Sequence, residues 1–369
     1  MERKQIAFFG ATNSGKSTLV NAIAGQEVSL VSDIPGTTTD PVRKLIELPG
    51  LGACVLVDTA GYGDGGSLGA ERERMTRSVI DSTDVAVLLR SGHPDDDRWE
   101  ALLHKAGVPV VRWPIEVGQD GNGTPSRHAR PDRASLLQHI SAALPSEEQS
   151  WLTGNLVKPG DTVILVMPQD SEAPKGRLIL PQAQMIRELL DRACVPVCCT
   201  PESLPSAMSA LQGAPALVIT DSQVFSKVNA AIPADWPLTS FSILLAASKG
   251  DIKVFTEGAL SIASLKPGAH VLIAEACTHV PDTEDIGRVK IPALLQKTVG
   301  SLRISIAAGN DFPDDLSPYD LIIHCGACVA SSTLVRSRIR KALLAGVPIT
   351  NYGMALAYLQ GILTRVSIP

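Results

Sequence analysis

The sequence predicts an α/β protein of three domains. An N-terminal P-loop domain covers residues 1–150, and two smaller parallel-sheet domains cover 158–250 and 255–369. Three observations carry this expectation. The glycine loop Gly10-Ala11-Thr12-Asn13-Ser14-Gly15-Lys16-Ser17 stands between an apolar strand pattern and a helix pattern. Short apolar runs then alternate with helical spacing along the chain, the order that builds parallel sheets. At 369 residues the chain is too long for one ordinary core.

Taken in order, residues 6–9 form a buried strand that feeds the glycine loop, and 17–24 a helix. Residues 53–57 make a second strand ending at Asp58, and 85–89 a third. From 118 to 131 the composition turns to Gly, Asn, Pro, Ser and Arg, which is loop chemistry. A helix over 134–144 and a linker over 145–159 close the first domain. The second opens with a strand at 162–167 and a helix at 182–193, then a strand at 216–220 and a helix at 223–231. A helix within 249–265 leads into the third, with strands at 270–274 and 321–323 and a cationic helix at 333–345. No internal repeat is visible.

Composition excludes several classes. A net charge of −5, with no Lys/Arg block, argues against a nucleic-acid partner or an acidic membrane surface. No apolar run approaches the roughly 18–20 residues that cross a bilayer. The N-terminus runs straight into a strand pattern without a signal-peptide h-region. Seven unevenly spaced cysteines imply free or metal-bound thiols in a reducing cytoplasm rather than a disulfide framework. Cys54, Cys194, Cys198 and Cys199 sit in or beside apolar stretches and read as packing residues.

The glycine loop has the chemistry of a phosphate cradle. Glycines allow backbone N–H groups to wrap phosphates, and the following helix adds its positive N-terminal end. Lys16 would reach the outer phosphates and Ser17 would ligate Mg2+. Asp58-Thr59-Ala60-Gly61 ends the next strand, where Asp58 can hold magnesium through water and the Gly61 N–H can meet a γ-phosphate. Between them lies Gly36-Thr37-Thr38-Thr39-Asp40, a hydroxyl-rich switch segment with Thr38 as magnesium ligand.

In that order and spacing the three segments resemble small GTPases of the translation-factor class, closest to the TrmE–Era branch. The resemblance implies GTP and Mg2+ bound at Gly10, Asn13, Ser14, Gly15, Lys16, Ser17, Thr18, Thr37, Thr38 and Asp58, with Lys16, Thr38, Asp58 and Gly61 serving hydrolysis. Asn13 matches the asparagine that helps hold K+ in potassium-activated members. One part departs from the pattern: no Asn-Lys-x-Asp occurs, and residues 108–111 are followed by Arg112-Trp113-Pro114-Ile115-Glu116. Thr124-Pro125-Ser126-Arg127 replaces the Ser-Ala loop poorly. Charge-assisted bonds contribute about 1.5–3 kcal/mol each, so losing a bidentate pair to guanine weakens affinity tens-fold or more. Phosphate binding is expected; the tetrapeptide that would confer guanine specificity is missing.

The C-terminal region carries a split ligand set, Cys277-Thr278-His279 and His324-Cys325-Gly326-Ala327-Cys328, each just after a predicted strand. Parallel sheets form their sites at the carboxyl ends of strands, so neighbouring strands would close the two clusters into one pocket. Spacing alone leaves two metals open: a structural zinc with three Cys and one His, or an iron–sulfur cluster with three Cys and an exchangeable fourth ligand.

These residues, with Asp285-Ile286-Gly287-Arg288-Val289-Lys290-Ile291-Pro292, resemble the cluster domain of the HydF family, the GTPase maturation factors of FeFe hydrogenases. Ala173-Pro174-Lys175-Gly176-Arg177 and Thr220-Asp221-Ser222-Gln223 resemble its dimerisation domain. The resemblance implies a homodimer with a 4Fe–4S cluster on Cys277, Cys325 and Cys328, and His279 or His324 as a labile fourth ligand. It implies a scaffold that takes a diiron H-cluster precursor from radical-SAM maturases and delivers it to apo FeFe hydrogenase, with the GTPase as a switch. Two other readings stand beside it: a zinc-stabilised GTPase in ribosome or tRNA processes, and an electron-passing redox enzyme, for which no substrate pocket or second cofactor motif is visible.

Overall fold

The computed structural model describes residues 3–25, 41–63, 67–119, 125–129, 132–144, 151–169, 176–276, 285–309, 311–328 and 330–369. The chain divides into two compact units, Met1–Glu147 and Glu148–Pro369.

Unit one is built on β1 (Lys4–Gly10), α1 (Lys16–Ala24), β2 (Val42–Leu48), β3 (Gly52–Asp58), α2 (Ser67–Ile80), β4 (Val85–Arg90), α3 (Asp96–Lys105), β5 (Val110–Gln119), β6 (Pro125–Ala129) and α4 (Arg133–Ala143). Its six-stranded sheet has the order β2-β3-β1-β4-β5-β6. β3, β1, β4 and β5 run parallel; β2 and β6 are antiparallel to their neighbours. β1 is buried on both faces, which explains its unbroken apolar run. Ile6 and Phe8 pack with Leu19, Ile23, Leu136 and Ile140 on one side. Ala7 and Phe9 pack with Val79, Trp99 and Leu103 on the other.

The expected loop over 118–131 is corrected in part. β5 continues to Gln119, and residues 125–129 return as β6, pairing Ile115↔Ala129 through Gln119↔Pro125. Glycine and polar residues there mark a hairpin, which composition alone does not separate from a coil.

Unit two contains β7 (Thr162–Val166), α5 (Leu180–Asp191), β8 (Val195–Cys199), α6 (Leu204–Ser209), β9 (Leu217–Thr220), α7 (Phe225–Ala231), β10 (Leu238–Ser240) and α8 (Phe241–Lys249). It continues with α9 (Ile252–Leu260), β11 (His270–Ala274), α10 (Ile291–Val299), β12 (Arg303–Ala307), β13 (Leu321–His324), α11 (Ser332–Ala345), β14 (Ile349–Asn351) and α12 (Tyr352–Leu359). Two four-stranded parallel sheets result, ordered β10-β9-β7-β8 and β12-β11-β13-β14. In each, the first strand lies between the second and third, and the fourth pairs with the third. The topology is thus duplicated where no sequence repeat was visible. The correspondence extends to capping: Ser240 opens α8 by accepting from Ile243 N, and Asn351 opens α12 by accepting from Met354 N. α8 and α12 meet directly, since a Cβ on Gly353 would lie 2.4 Å from Ser242 Oγ.

One core serves both sheets, joining Ile164, Val166 and Val218 with Ile243, Phe255, Leu272, Ile322 and Met354. At about 25 cal/mol per Å2, each fully buried aliphatic side chain contributes about 1.5–3 kcal/mol, which makes this shared layer the main adhesive of the unit. The tail returns to the first sheet, with Val366 bridging Leu238 and Ser367 N donating to Leu238 O. Among the described residues no helix is long and apolar enough to cross a membrane.

Candidate functional site

In unit one, the carboxyl end of β1 delivers Gly10 to a tight loop. A Cβ on Gly10 would lie 2.7 Å from Ser14 Oγ and 3.1 Å from Leu89 Cβ, so a side chain there would close the loop. Asn13 (φ 60) and Gly15 (φ 88) occupy the left-handed region, where glycine is free and asparagine is among the tolerated exceptions. Lys16 is buried, and its Nζ donates to the carbonyls of Gly10 (3.1 Å) and Ala11 (2.9 Å). Ser14 Oγ is buried without a hydrogen-bond partner. A buried hydroxyl left over in a glycine-containing loop suits an anionic oxygen. Thr18 is exposed in the first turn of α1.

Ser17 Oγ donates to Asp58 Oδ2 at 2.6 Å, so the two groups expected around magnesium already touch. Asp58 is buried at the end of β3, and the neighbouring Thr59 hydroxyl is anchored on Phe8 O. Gly61 then passes against the phosphate loop: a Cβ there would sit 2.6 Å from Thr12 N, Cα and Oγ1. Tyr62 clamps this approach, donating its N–H to Gly10 O and accepting from Thr12 N. Its hydroxyl donates to Asp96 Oδ1 at 2.7 Å, and its ring stacks on Trp99 at 5.2 Å. Burial, then the Asp96 carboxylate, pushes the Tyr62 phenol far above its ordinary range. Asp96 Oδ2 in turn accepts from the amides of Ser91, Gly92 and His93. The sequence reading missed Tyr62 and Asp96, for which the acidic turn after Pro94 is a weak signal. Thr37 and Thr38 lie outside the described residues.

In unit two, β11 and β13 are parallel neighbours, with Ala274 opposite His324. The segment ending at Ala276 and the Cys325–Cys328 turn therefore emerge side by side. Cys325 Sγ accepts from Ala276 N at 3.0 Å and from Ala327 N at 3.4 Å. Two amides aimed at one sulfur favour a thiolate, the form that binds metal. Cys328 is exposed, and Ala327 sits at φ 50 to make the turn. Lys249 Nζ pins that turn through the carbonyls of Ala327 (2.7 Å), Cys328 (3.2 Å) and Ala330 (2.8 Å). Cys277 and His279 lie outside the described residues. Among the described residues no group of three or more His, Cys, Asp or Glu converges on a metal position.

His324 is fully buried. Nδ1 lies 2.7 Å from Cys325 O and Nε2 3.0 Å from Arg338 Nη1. With the carbonyl accepting and the guanidinium donating, the ring is the neutral Nδ1–H tautomer. Burial, then the Arg338 charge, pushes its pKa down to about 3. Arg338 is itself buried, donating to Glu275 O and Gly309 O and lying over the Phe312 ring at 4.8 Å. The Glu275 carboxylate is held by Arg288 at 3.0 and 2.7 Å. Arg288 stands in the Asp285–Pro292 motif, whereas neither Arg338 nor Lys249 has a sequence signature. Their roles depend on residues far away in the chain. Cys54 and Cys194 are buried as expected, while Cys198 is exposed on the edge strand β8.

Fold and site together define a P-loop GTPase domain joined to a pair of parallel-sheet domains. The model of the 50S ribosome-binding GTPase family matches residues 5–112, that of the hydrogen maturase F dimerization domain 152–250, and that of its tetramerization domain 253–369. The chain belongs to the hydrogen maturase F (HydF) family. Curated relatives match over part of the chain. The tRNA modification GTPase MnmE of Moorella thermoacetica is 39% identical over 101 residues, covering 26% of this chain and 22% of its own length. MnmE of Methylobacterium radiotolerans is 44% identical over 144 residues (37% and 32%), and GTPase Der of Caldicellulosiruptor saccharolyticus 40% over 121 (30% and 27%). The chain thus spans about a quarter of the length of such relatives. Among solved structures, Era in complex with MgGDPNP and 16S ribosomal RNA nucleotides is similar at 16% identity and a TM-score of 0.34, covering 57% of this chain and 99% of that one.

Proposed function

We propose that this protein is a maturation scaffold for FeFe hydrogenase whose GTPase domain acts as a switch. The observation that carries the reading is the match of both hydrogen maturase F domain models, with Cys325-x-x-Cys328 leaving β13 beside the strand that leads to Cys277. Cys277, Cys325 and Cys328 would hold a 4Fe–4S cluster; the amides on Cys325 Sγ fit a thiolate ligand. Of the two histidines, the contacts of His324 with Arg338 and Cys325 favour His279 as the replaceable fourth ligand. When bound, the cluster supplies a coordination position that cargo occupies and leaves. The cargo is a diiron precursor from radical-SAM maturases, passed to apo-hydrogenase by a homodimer in the cytoplasm. Among the described residues Cys54, Cys194, Cys198 and Cys199 are free thiols, which suits a reducing compartment.

In unit one, Lys16 would turn from the Gly10 and Ala11 carbonyls to the outer phosphates of GTP. Ser17 and Thr38 would bind Mg2+, with Asp58 steering a magnesium water and Gly61 N–H meeting the γ-phosphate. Asn13 would help hold a K+ ion that offsets charge developing in hydrolysis. Loops that order around the γ-phosphate would time partner association.

The test is iron and sulfide analysis with EPR on anaerobically reconstituted, dithionite-reduced protein. About four irons and four sulfides per chain are expected, with a signal altered by imidazole and lost in Cys325→Ala. One zinc per chain and no retained iron would instead favour a zinc-stabilised GTPase.

A further inference from the structure

We infer that the nucleotide site reads phosphates and magnesium but not the base, so that ATP and GTP bind alike. The inference rests on the nucleotide-switch reading above and specifies its substrate class as nucleoside triphosphates in general.

Register places the question at one level of the sheet. Gly10 pairs with Leu89, and Leu89 with Trp113, so Trp113 within β5 is level with the start of the phosphate loop. A base held there would meet whatever that stretch presents. Arg112 is tied to Glu100 at 2.5 Å, and Glu100 also accepts from Arg90 at 2.6 Å. Trp113 is buried edge-on to the His139 ring. Pro114 has no N–H to offer. From Ile115 to Gln119 the backbone pairs in register with β6, where a base-reading loop would have to turn. The carboxylate of Asp132, which follows the hairpin, caps α4 by accepting from Ser135 N at 3.1 Å. No Asn-Lys-x-Asp occurs anywhere in the sequence.

The phosphate side shows no such loss: two left-handed residues, a buried lysine, an unpartnered buried hydroxyl and the Ser17–Asp58 pair are all in place. A site built to hydrogen-bond its ligand's edge rejects the wrong ligand by about 10⁴-fold or more, and that discrimination goes when those bonds go. What remains for a base is stacking, which tolerates any base because each has a π-face.

The experiment is displacement of a fluorescent GTP analogue from the full chain, with Mg2+ present, by GTP, ATP and inorganic tripolyphosphate. We expect GTP and ATP to compete within about threefold of each other, and tripolyphosphate to compete as well. A preference for GTP of about a hundred-fold or more would overturn the inference while leaving the nucleotide switch intact. Failure of the labelled GTP to bind at all would overturn the switch reading itself, and this inference with it.

Discussion

At the scale of single residues, two buried contacts carry more consequence than their places in the sequence announce. Tyr62 joins the segment after Asp58 to the turn before α3 through its hydroxyl on Asp96. Tyr62→Phe keeps the ring on Trp99 but leaves a buried carboxylate oxygen without its donor, which costs about 1–3 kcal/mol. Chemical denaturation should show that loss in the transition of unit one. Arg338 serves three acceptors in unit two: Glu275 O, Gly309 O and His324 Nε2. Arg338→Met fills most of the volume yet strands all three, so a loss of about 2–4 kcal/mol is expected. Arg338→Lys should recover only part of it, because an ammonium does not reproduce the planar fork. Denaturant midpoints for the two variants check both statements. The phosphate loop, Asp58 and the cysteine motif were legible because their chemistry is local in sequence. Tyr62, Lys249 and Arg338 were not, because each acts on atoms brought to it by tertiary folding.

At the scale of elements, strands buried on both faces were legible and thinner ones were not. The span 270–274 was read with its boundaries intact, and 85–89 differs from β4 by one residue. β8 and β12 lie on sheet edges and are mostly exposed or half-buried; Pro196 interrupts the one and Arg303 and Ser305 the other, so neither shows a continuous apolar run. β10 and β14 are three residues each, too short for any period to register. α9 shows what fixes such a short strand in place. A Cβ on Gly258 would lie 2.0 Å from Ile349 O, so the helix rests directly on the β14 backbone. Backbone cannot swing aside as a side chain tip can. Gly258→Ala is therefore expected to destabilise unit two by about 1–3 kcal/mol or more, despite alanine's higher helix propensity. Gly213→Ala, where nothing lies within 4 Å, serves as the control and should change the denaturant midpoint little.

At the scale of the whole molecule, the two chemistries are partitioned between the units. Gly10, Lys16, Ser17, Asp58 and Gly61 all belong to Met1–Glu147, and Cys325, Cys328, His324 and Arg338 to Glu148–Pro369. The duplicated sheets explain why the second unit carries its thiols where it does: parallel strands gather chain ends at one edge, and β11 and β13 are the central pair of their sheet. Each site also draws its supporting contacts from its own unit, since Lys16 rests on Gly10 and Ala11 while Lys249 pins Ala327 and Ala330. Substitutions should accordingly separate. Lys16→Ala removes the charge that would meet the outer phosphates, a loss of about 2–4 kcal/mol or roughly thirty- to a thousand-fold in nucleotide affinity, with reconstituted iron content unchanged. Cys325→Ala should do the reverse, lowering iron and sulfide while nucleotide affinity stays within about twofold of the parent. Titration calorimetry and metal analysis on the same two preparations decide the matter. If Cys325→Ala altered nucleotide affinity tenfold, the sites would be coupled by about 1.4 kcal/mol, and the switch would then act on the thiol pocket itself rather than on partner association alone.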